Sequence, residues 1–80
     1  MTREEILGNL KDIVLTIKPR LELSSISMES SLVKDLGIDS LSMLLVSLAT
    51  ENKFGFQFSP QAKFNTIGDV VDYIDNILNK

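Results

Sequence analysis

Eighty residues leave room for one small domain, and the absence of Cys and His removes disulfides, thiolate nucleophiles, the commonest general base and the commonest metal ligand. A net charge of −3, from 11 acidic and 8 basic residues, repels phosphate backbones and argues against a nucleic-acid partner. Apolar residues make up 44% of the chain, which suits a folded globule; no apolar run reaches the ~20 residues of a membrane span, and Met1-Thr2-Arg3-Glu4-Glu5 lacks a secretory signal, so a cytoplasmic protein without membrane insertion is expected.

Thr2 and Glu5 have the spacing of a helical capping box, and Ile6, Leu10, Ile13, Val14 and Ile17 then mark one helical face. Pro19 cannot continue that helix, which is predicted over residues 3–17. Residues 18–38 show no sustained period. Their Leu21, Leu23, Ile26, Leu32, Leu36 and Ile38 predict an ordered loop tacked across the helices, with a helical turn near residues 31–34. Asp39 is a good N-cap for a second helix running to about Lys53, and Gly55 ends it. Phe56 and Phe58 suggest a short strand, but nothing else in the chain offers it a partner. Ser59-Pro60 predicts a short third helix or turn over residues 60–64. Thr66 and Asp69 form a second capping box, and Val70, Val71, Ile74, Ile77 and Leu78 supply the buried face of the last helix. The expected fold is all-α: a small four-helix bundle, three helices long and one short, with a long loop between the first two.

The chemistry concentrates in Asp35-Leu36-Gly37-Ile38-Asp39-Ser40-Leu41. Ser40 falls where a loop meets a helix, so its hydroxyl is expected to be exposed beside unpaired backbone N–H groups. A helix N-terminus favours an anion by about 0.3–1 kcal/mol at exposed sites, so a phosphodiester on Ser40 would meet a favourable field. An isolated Asp-Ser-Leu is nonetheless a common capping pattern. Asp35 and Asp39 are weak candidates for a divalent cation, since two loop carboxylates make a poor site, and a capping role is favoured.

The wider sequence resembles the acyl carrier protein family. Leu32-Val33-Lys34-Asp35-Leu36-Gly37, then Asp39-Ser40-Leu41, a helix ending at Phe54, Thr66-Ile67 and Asp72-Tyr73-Ile74 follow that family's order and spacing along nearly the whole chain. The resemblance implies that Ser40 receives 4′-phosphopantetheine from coenzyme A through a separate phosphopantetheinyl transferase. The arm's thiol then carries acyl groups as thioesters, which accounts for a chain without Cys. It implies further that Asp39 and Leu41 flank the arm, and that catalysis belongs to partners such as an acyltransferase, a ketosynthase or an acyl ligase, while the chain tethers. A monomer with residues 1–80 as a single domain is expected.

The second helix departs from primary fatty acid carriers, which usually bear several acids there. In residues 41–54 Glu51 is the only acid and Lys53 offsets it, so electrostatic steering by this face should be weak. By spacing alone Leu41, Leu44, Leu45 and Leu48 are the core face. The resemblance instead turns Val46, Thr50 and Phe54 inward, leaving Leu41, Leu45 and Leu48 partly exposed as a hydrophobic partner-docking face. The second reading is favoured, and burial of Leu45 and Leu48 would overturn it. It points to a specialised pathway, polyketide or related, beside which a housekeeping fatty acid carrier stays open. If the acyl chain shelters in the core, Leu44, Val46, Phe54, Ala62, Phe64 and Ile67 are candidates to line its pocket. The alternative function is an unmodified carrier-like domain that binds partners through the apolar second helix. A free-standing enzyme is disfavoured by the missing His and Cys.

Overall fold

In a computed structural model, which describes residues 2–59 and 63–79, three α-helices pack around a shared core. Helix α1 spans Arg3–Ile17, α2 spans Ser40–Phe54 and α3 spans Ile67–Leu78. Both expected capping boxes form. The Glu5 amide donates to Thr2 Oγ1 at 3.1 Å while the Thr2 amide donates to Glu5 Oε1 at 3.0 Å. At α3 the Asp69 amide donates to Thr66 Oγ1 at 3.2 Å, and Asp69 Oδ2 accepts the amides of Asn65 and Thr66 at 2.9 and 3.1 Å. These backbone donors hold the Glu5 and Asp69 carboxyls below the ordinary carboxylate range. Helix α1 stops at Lys18, before Pro19, and α2 stops at Gly55, whose φ of 73° is the left-handed conformation that closes a helix without a Cβ clash.

The core drawn from these elements is uneven. Helix α1 buries Ile6, Leu10, Ile13 and Val14, and α3 buries Ile67, Val70, Val71 and Ile74. The connection between α1 and α2 buries four apolar side chains, Ile26, Leu32, Leu36 and Ile38, whereas α2 buries only Val46 among its apolar residues. At about 1.5–3 kcal/mol for each fully buried aliphatic side chain, the connection is a structural element in its own right. It carries a 3₁₀ turn at Leu23–Ser25 and a set of helical-type turns in which Ser31 O accepts the amides of Asp35 and Leu36, each at 3.1 Å. Buried Ser30 is fully used, accepting the Ser27 amide at 2.9 Å and donating to Ser25 O at 2.8 Å.

The connection is also stitched to the start of α3. Ser31 and Thr66 form an antiparallel bridge, with Leu32 N–H on Asn65 O at 2.9 Å and Ile67 N–H on Ser30 O at 3.0 Å. Arg3 pairs with Asp72 and Asp75, tying the start of α1 to α3. Phe56 and Phe58 form no strand. They join Phe54, Phe64 and Tyr73 in a run of rings with neighbouring centroids 4.8–6.5 Å apart.

The all-α expectation holds, as do the boundaries of α1 and the starts of α2 and α3. The fourth helix does not appear among the described residues: of the expected 60–64 stretch, 60–62 lie outside them, and Lys63 and Phe64 are not helical. No helix of the described residues is long and apolar enough to cross a membrane.

Candidate functional site

Ser40 is the first residue of α2 and its side chain is exposed. Three local features put it there. Ile38 is buried and its amide donates to Leu32 O at 2.9 Å, anchoring the chain two residues upstream. Gly37, with φ at 63°, makes the turn that leads into that anchor. Asp39 then caps the helix: its Oδ1 accepts the Ser42 amide at 2.8 Å, while its carbonyl accepts the Met43 amide at 2.8 Å. The Ser42 N–H holds the Asp39 carboxyl below its ordinary value, with the charge of Lys18 adding to the effect, so the cap is an anion at neutral pH. The amides of Ser40 and Leu41 lie in the turn that has no carbonyl partner within the helix, so they are available to an anion beside Ser40.

Asp35 is used locally, its Oδ2 accepting the Ser31 amide at 2.6 Å. Among the described residues no group of three or more acids could hold a metal ion.

Helix α2 is turned as the resemblance implied and against its own strongest stripe. Ser42, Val46 and Thr50 face the core. Leu41, Leu44, Leu45 and Leu48 are 67%, 55%, 45% and 48% exposed, alongside Val33 at 66%. The inward face works because Thr50, fully buried, donates its hydroxyl to Val46 O at 2.6 Å; no buried side-chain polar atom is left unpaired among the described residues.

Beneath α2 is a cavity of about 20 Å³, bounded by Leu32, Val46, Thr50, Phe58, Phe64 and Ile67 among others. Val46, Phe64 and Ile67 thus take the lining positions expected of them. Leu44 does not: it sits on the outer face, because the helix rotation that buries Val46 and Thr50 places Leu44 in solvent. Phe54 packs against the core at the end of α2 but does not reach the cavity. Ala62 lies outside the described residues. Phe58 and Thr50 were not expected there; Phe58 lies in a segment that suggested only a strand without a partner, and the pairing of a Thr with its own helix leaves no sequence signal.

Among the described residues no hydrogen bond engages the Ser40 side chain, and the chain has no His to act as its base. The hydroxyl is exposed in the first turn of α2, behind the Asp39 cap, where the field of a helix N-terminus suits a phosphate.

Comparison with known proteins agrees. Residues 10–74 match the family described as "Phosphopantetheine attachment site". The chain is 42% identical over 80 residues to an acyl carrier protein of Coprothermobacter proteolyticus, covering 98% of this chain and 96% of that protein. It is 40% identical over 78 residues to the meromycolate extension acyl carrier protein of Mycolicibacterium smegmatis, covering 95% and 78%. With the meromycolate extension acyl carrier protein of Mycobacterium leprae the identity is 39% over 79 residues, covering 96% and 68%. The chain belongs to this family of acyl carrier proteins, which hold 4′-phosphopantetheine covalently on a serine and are carriers rather than enzymes.

Proposed function

We propose that Ser40 is the attachment residue and that the protein carries acyl groups as thioesters on a 4′-phosphopantetheine arm. The observation that supports this most directly is the exposed Ser40 hydroxyl in the first turn of a helix whose cap is already supplied by Asp39. In the attachment step the Ser40 oxygen bonds to the phosphorus of coenzyme A next to the pantetheine. The bond from that phosphorus to the nucleotide half breaks, and the serine proton leaves to a base of the phosphopantetheinyl transferase. Asp39 and Leu41 flank the arm. The arm supplies the thiol that the sequence lacks, and its tethering raises the effective concentration of cargo at each partner.

Leu41, Leu45 and Leu48 form the docking face for those partners. Their exposure beside the arm supports this, and α2 offers only Glu51 as an acid, so recognition rests on apolar contact more than on steering. The clients are enzymes of fatty acid or related biosynthesis: an acyltransferase, a ketosynthase or an acyl ligase. Similarity to carriers named for meromycolate extension supports a specialised chain-extension pathway. We place the carrier domain in the cytoplasm as a monomer.

The test is intact mass after incubation with coenzyme A, Mg²⁺ and a broad-specificity phosphopantetheinyl transferase. The protein should gain one phosphopantetheine, and Ser40→Ala should gain none. A folded wild-type protein that gains nothing with several transferases would favour the unmodified interaction domain instead.

A further inference from the structure

The first turn of α3 is closed by another part of the chain. A helix leaves its first N–H groups without carbonyl partners of its own. In α3 those of Ile67 and Gly68 donate to Ser30 O at 3.0 Å and to Met28 O at 2.8 Å, and that of Asp69 donates to Thr66 Oγ1. Leu32 N–H returns a bond to Asn65 O at 2.9 Å, so residues 28–32 run against residues 65–68 on backbone hydrogen bonds. Leu32 then passes the contact on, because its carbonyl accepts the Ile38 amide at 2.9 Å, two residues before Ser40. The approach is close enough to need a glycine. A Cβ at position 68 would lie 2.8 Å from Met28 O and 3.6 Å from Thr66 Oγ1. The atom in its way is backbone, anchored nearby at Ser30 by the Ser27 amide and Ser25 O, so it cannot swing aside as a side-chain tip would.

We propose that Gly68 is a positioning residue for the attachment site. By letting Met28 O seat on the first turn of α3 it holds residues 28–32, and through Leu32 O and Ile38 it fixes where Asp39 and Ser40 begin α2. Its bearing on loading rests on the carrier reading of Ser40. Leu32 and Ile38 are both buried, so the relay runs through packed core rather than loose loop, and a displacement at one end is carried to the other. An alanine at position 68 must move Met28 O or α3 by several tenths of an ångström to restore ordinary contact. Shifts of that order matter where a hydroxyl must line up with a phosphorus, since misplacing a reacting atom by about 1 Å can cost a hundredfold in rate. Docking is spared, because Leu45 and Leu48 lie on later turns of α2. Helix propensity alone points the other way, as alanine is the better helix former.

The experiment compares Gly68→Ala, Gly8→Ala and the double variant. Gly8 is an exposed glycine of α1 with nothing within 4 Å of its Cβ position, so Gly8→Ala should raise the melting temperature by about 4 °C and load as the wild type does. Gly68→Ala should lower the melting temperature. By NMR of isotope-labelled protein it should also shift the amide resonances of Leu32, Ile38 and Ser40, which Gly8→Ala leaves in place. With coenzyme A and a phosphopantetheinyl transferase, its kcat for loading should fall about tenfold with KM unchanged. The double variant should regain stability and keep the loading defect. Loading restored in the double variant would mean that Gly68 acts through stability alone, and unmoved Ile38 and Ser40 amides in Gly68→Ala would break the relay; either overturns the proposal. If Gly68→Ala does not fold even beside Gly8→Ala, hydrogen exchange of the wild type decides. The amides of Leu32, Ile38, Ile67 and Gly68 should then open as one unit, with protection within about tenfold of one another, and an Ile38 amide that exchanges far faster than that of Gly68 overturns the relay. A wild-type protein that never gains the arm's mass overturns the carrier reading, whereas the amide shifts and exchange need no loading and still judge the relay.

Discussion

The Asp39 carboxylate sits 2.8 Å from the Ser42 amide and so caps α2 from one residue ahead, fixing Ser40 as its first residue. This cap is geometric first and electrostatic second, and the two parts separate by mutation. Asn caps a helix about as well as Asp, whereas Ala does not. Asp39→Asn keeps the geometric cap and should lower the melting temperature only slightly, whereas Asp39→Ala should lower it by about 4 °C, the shift expected from losing one N-cap in a chain of this size. Phosphopantetheine loading should slow in Asp39→Ala because the serine loses its fixed helical turn. A thermal melt of Asp39→Ala that matches the wild type would remove the cap from the account of the site.

Acid should weaken the fold in a defined window. Glu5, Asp39 and Asp69 all have carboxyls held below their ordinary values by backbone N–H groups of the caps. A lowered pKa in the folded state means that the unfolded chain takes up protons first as pH falls. The stability these caps supply is complete above the ordinary values of 3.8 for Asp and 4.5 for Glu, and is lost as pH drops below them towards the folded values. Urea midpoints taken from pH 7 down to about 3 should be level at first and then fall. Asp69→Asn should lower the midpoint at pH 7 and flatten the acid limb; an unchanged acid limb would show that other groups govern it.

The exposed leucines of α2 make opposite demands on folding and on function. Leu45 and Leu48 are 45% and 48% exposed, so Leu45→Asp and Leu48→Asp should cost no more than about 0.5–1 kcal/mol of stability. If they form the docking face, each should cut the rate of transfer from the loaded protein to a partner enzyme by about tenfold, the loss typical of an interface residue worth more than 1 kcal/mol. Asn76→Asp, on the exposed side of α3, is the control and should change neither quantity. Unaltered transfer in both leucine variants would remove α2 from partner recognition.

Much of this was legible from residues whose side chains act on their own neighbours. Thr2 with Glu5, Thr66 with Asp69, Asp39 before Ser40 and Gly55 after Phe54 are local devices, and each works as its spacing suggests. The rotation of α2 was not legible from periodicity, because Leu41, Leu44, Leu45 and Leu48 outweigh Val46 and Thr50 on any hydropathy count. The helix turns them outward because the core is already filled from other places. Ile26, Leu32, Leu36 and Ile38 are all buried, whereas α2 buries only Val46 among its apolar residues, yet they lie in a stretch with no repeat to reveal them. The cavity was legible in part: Val46, Phe64 and Ile67 line it as expected, but Phe58 reaches it from irregular backbone, and Leu44, which helical spacing nominated, is held away from it.

Thr50 is where that rotation leaves its mark on stability. It is fully buried, and its hydroxyl donates to Val46 O at 2.6 Å. That carbonyl already accepts the in-helix amide four residues on, so the hydroxyl adds a second donor to an acceptor that does not need one. Removing the hydroxyl while keeping the shape orphans no group, and it ends the cost of burying a polar atom in a largely apolar interior. Thr50→Val should therefore be neutral or should raise the unfolding free energy by up to about 1 kcal/mol, read from urea denaturation at neutral pH. β-Branching is retained, so helix propensity changes little. A loss of more than about 1 kcal/mol would mean that the hydroxyl helps to hold α2 in its rotated position, and that Thr50, not only the crowding of the core by the loop, keeps the leucines facing out.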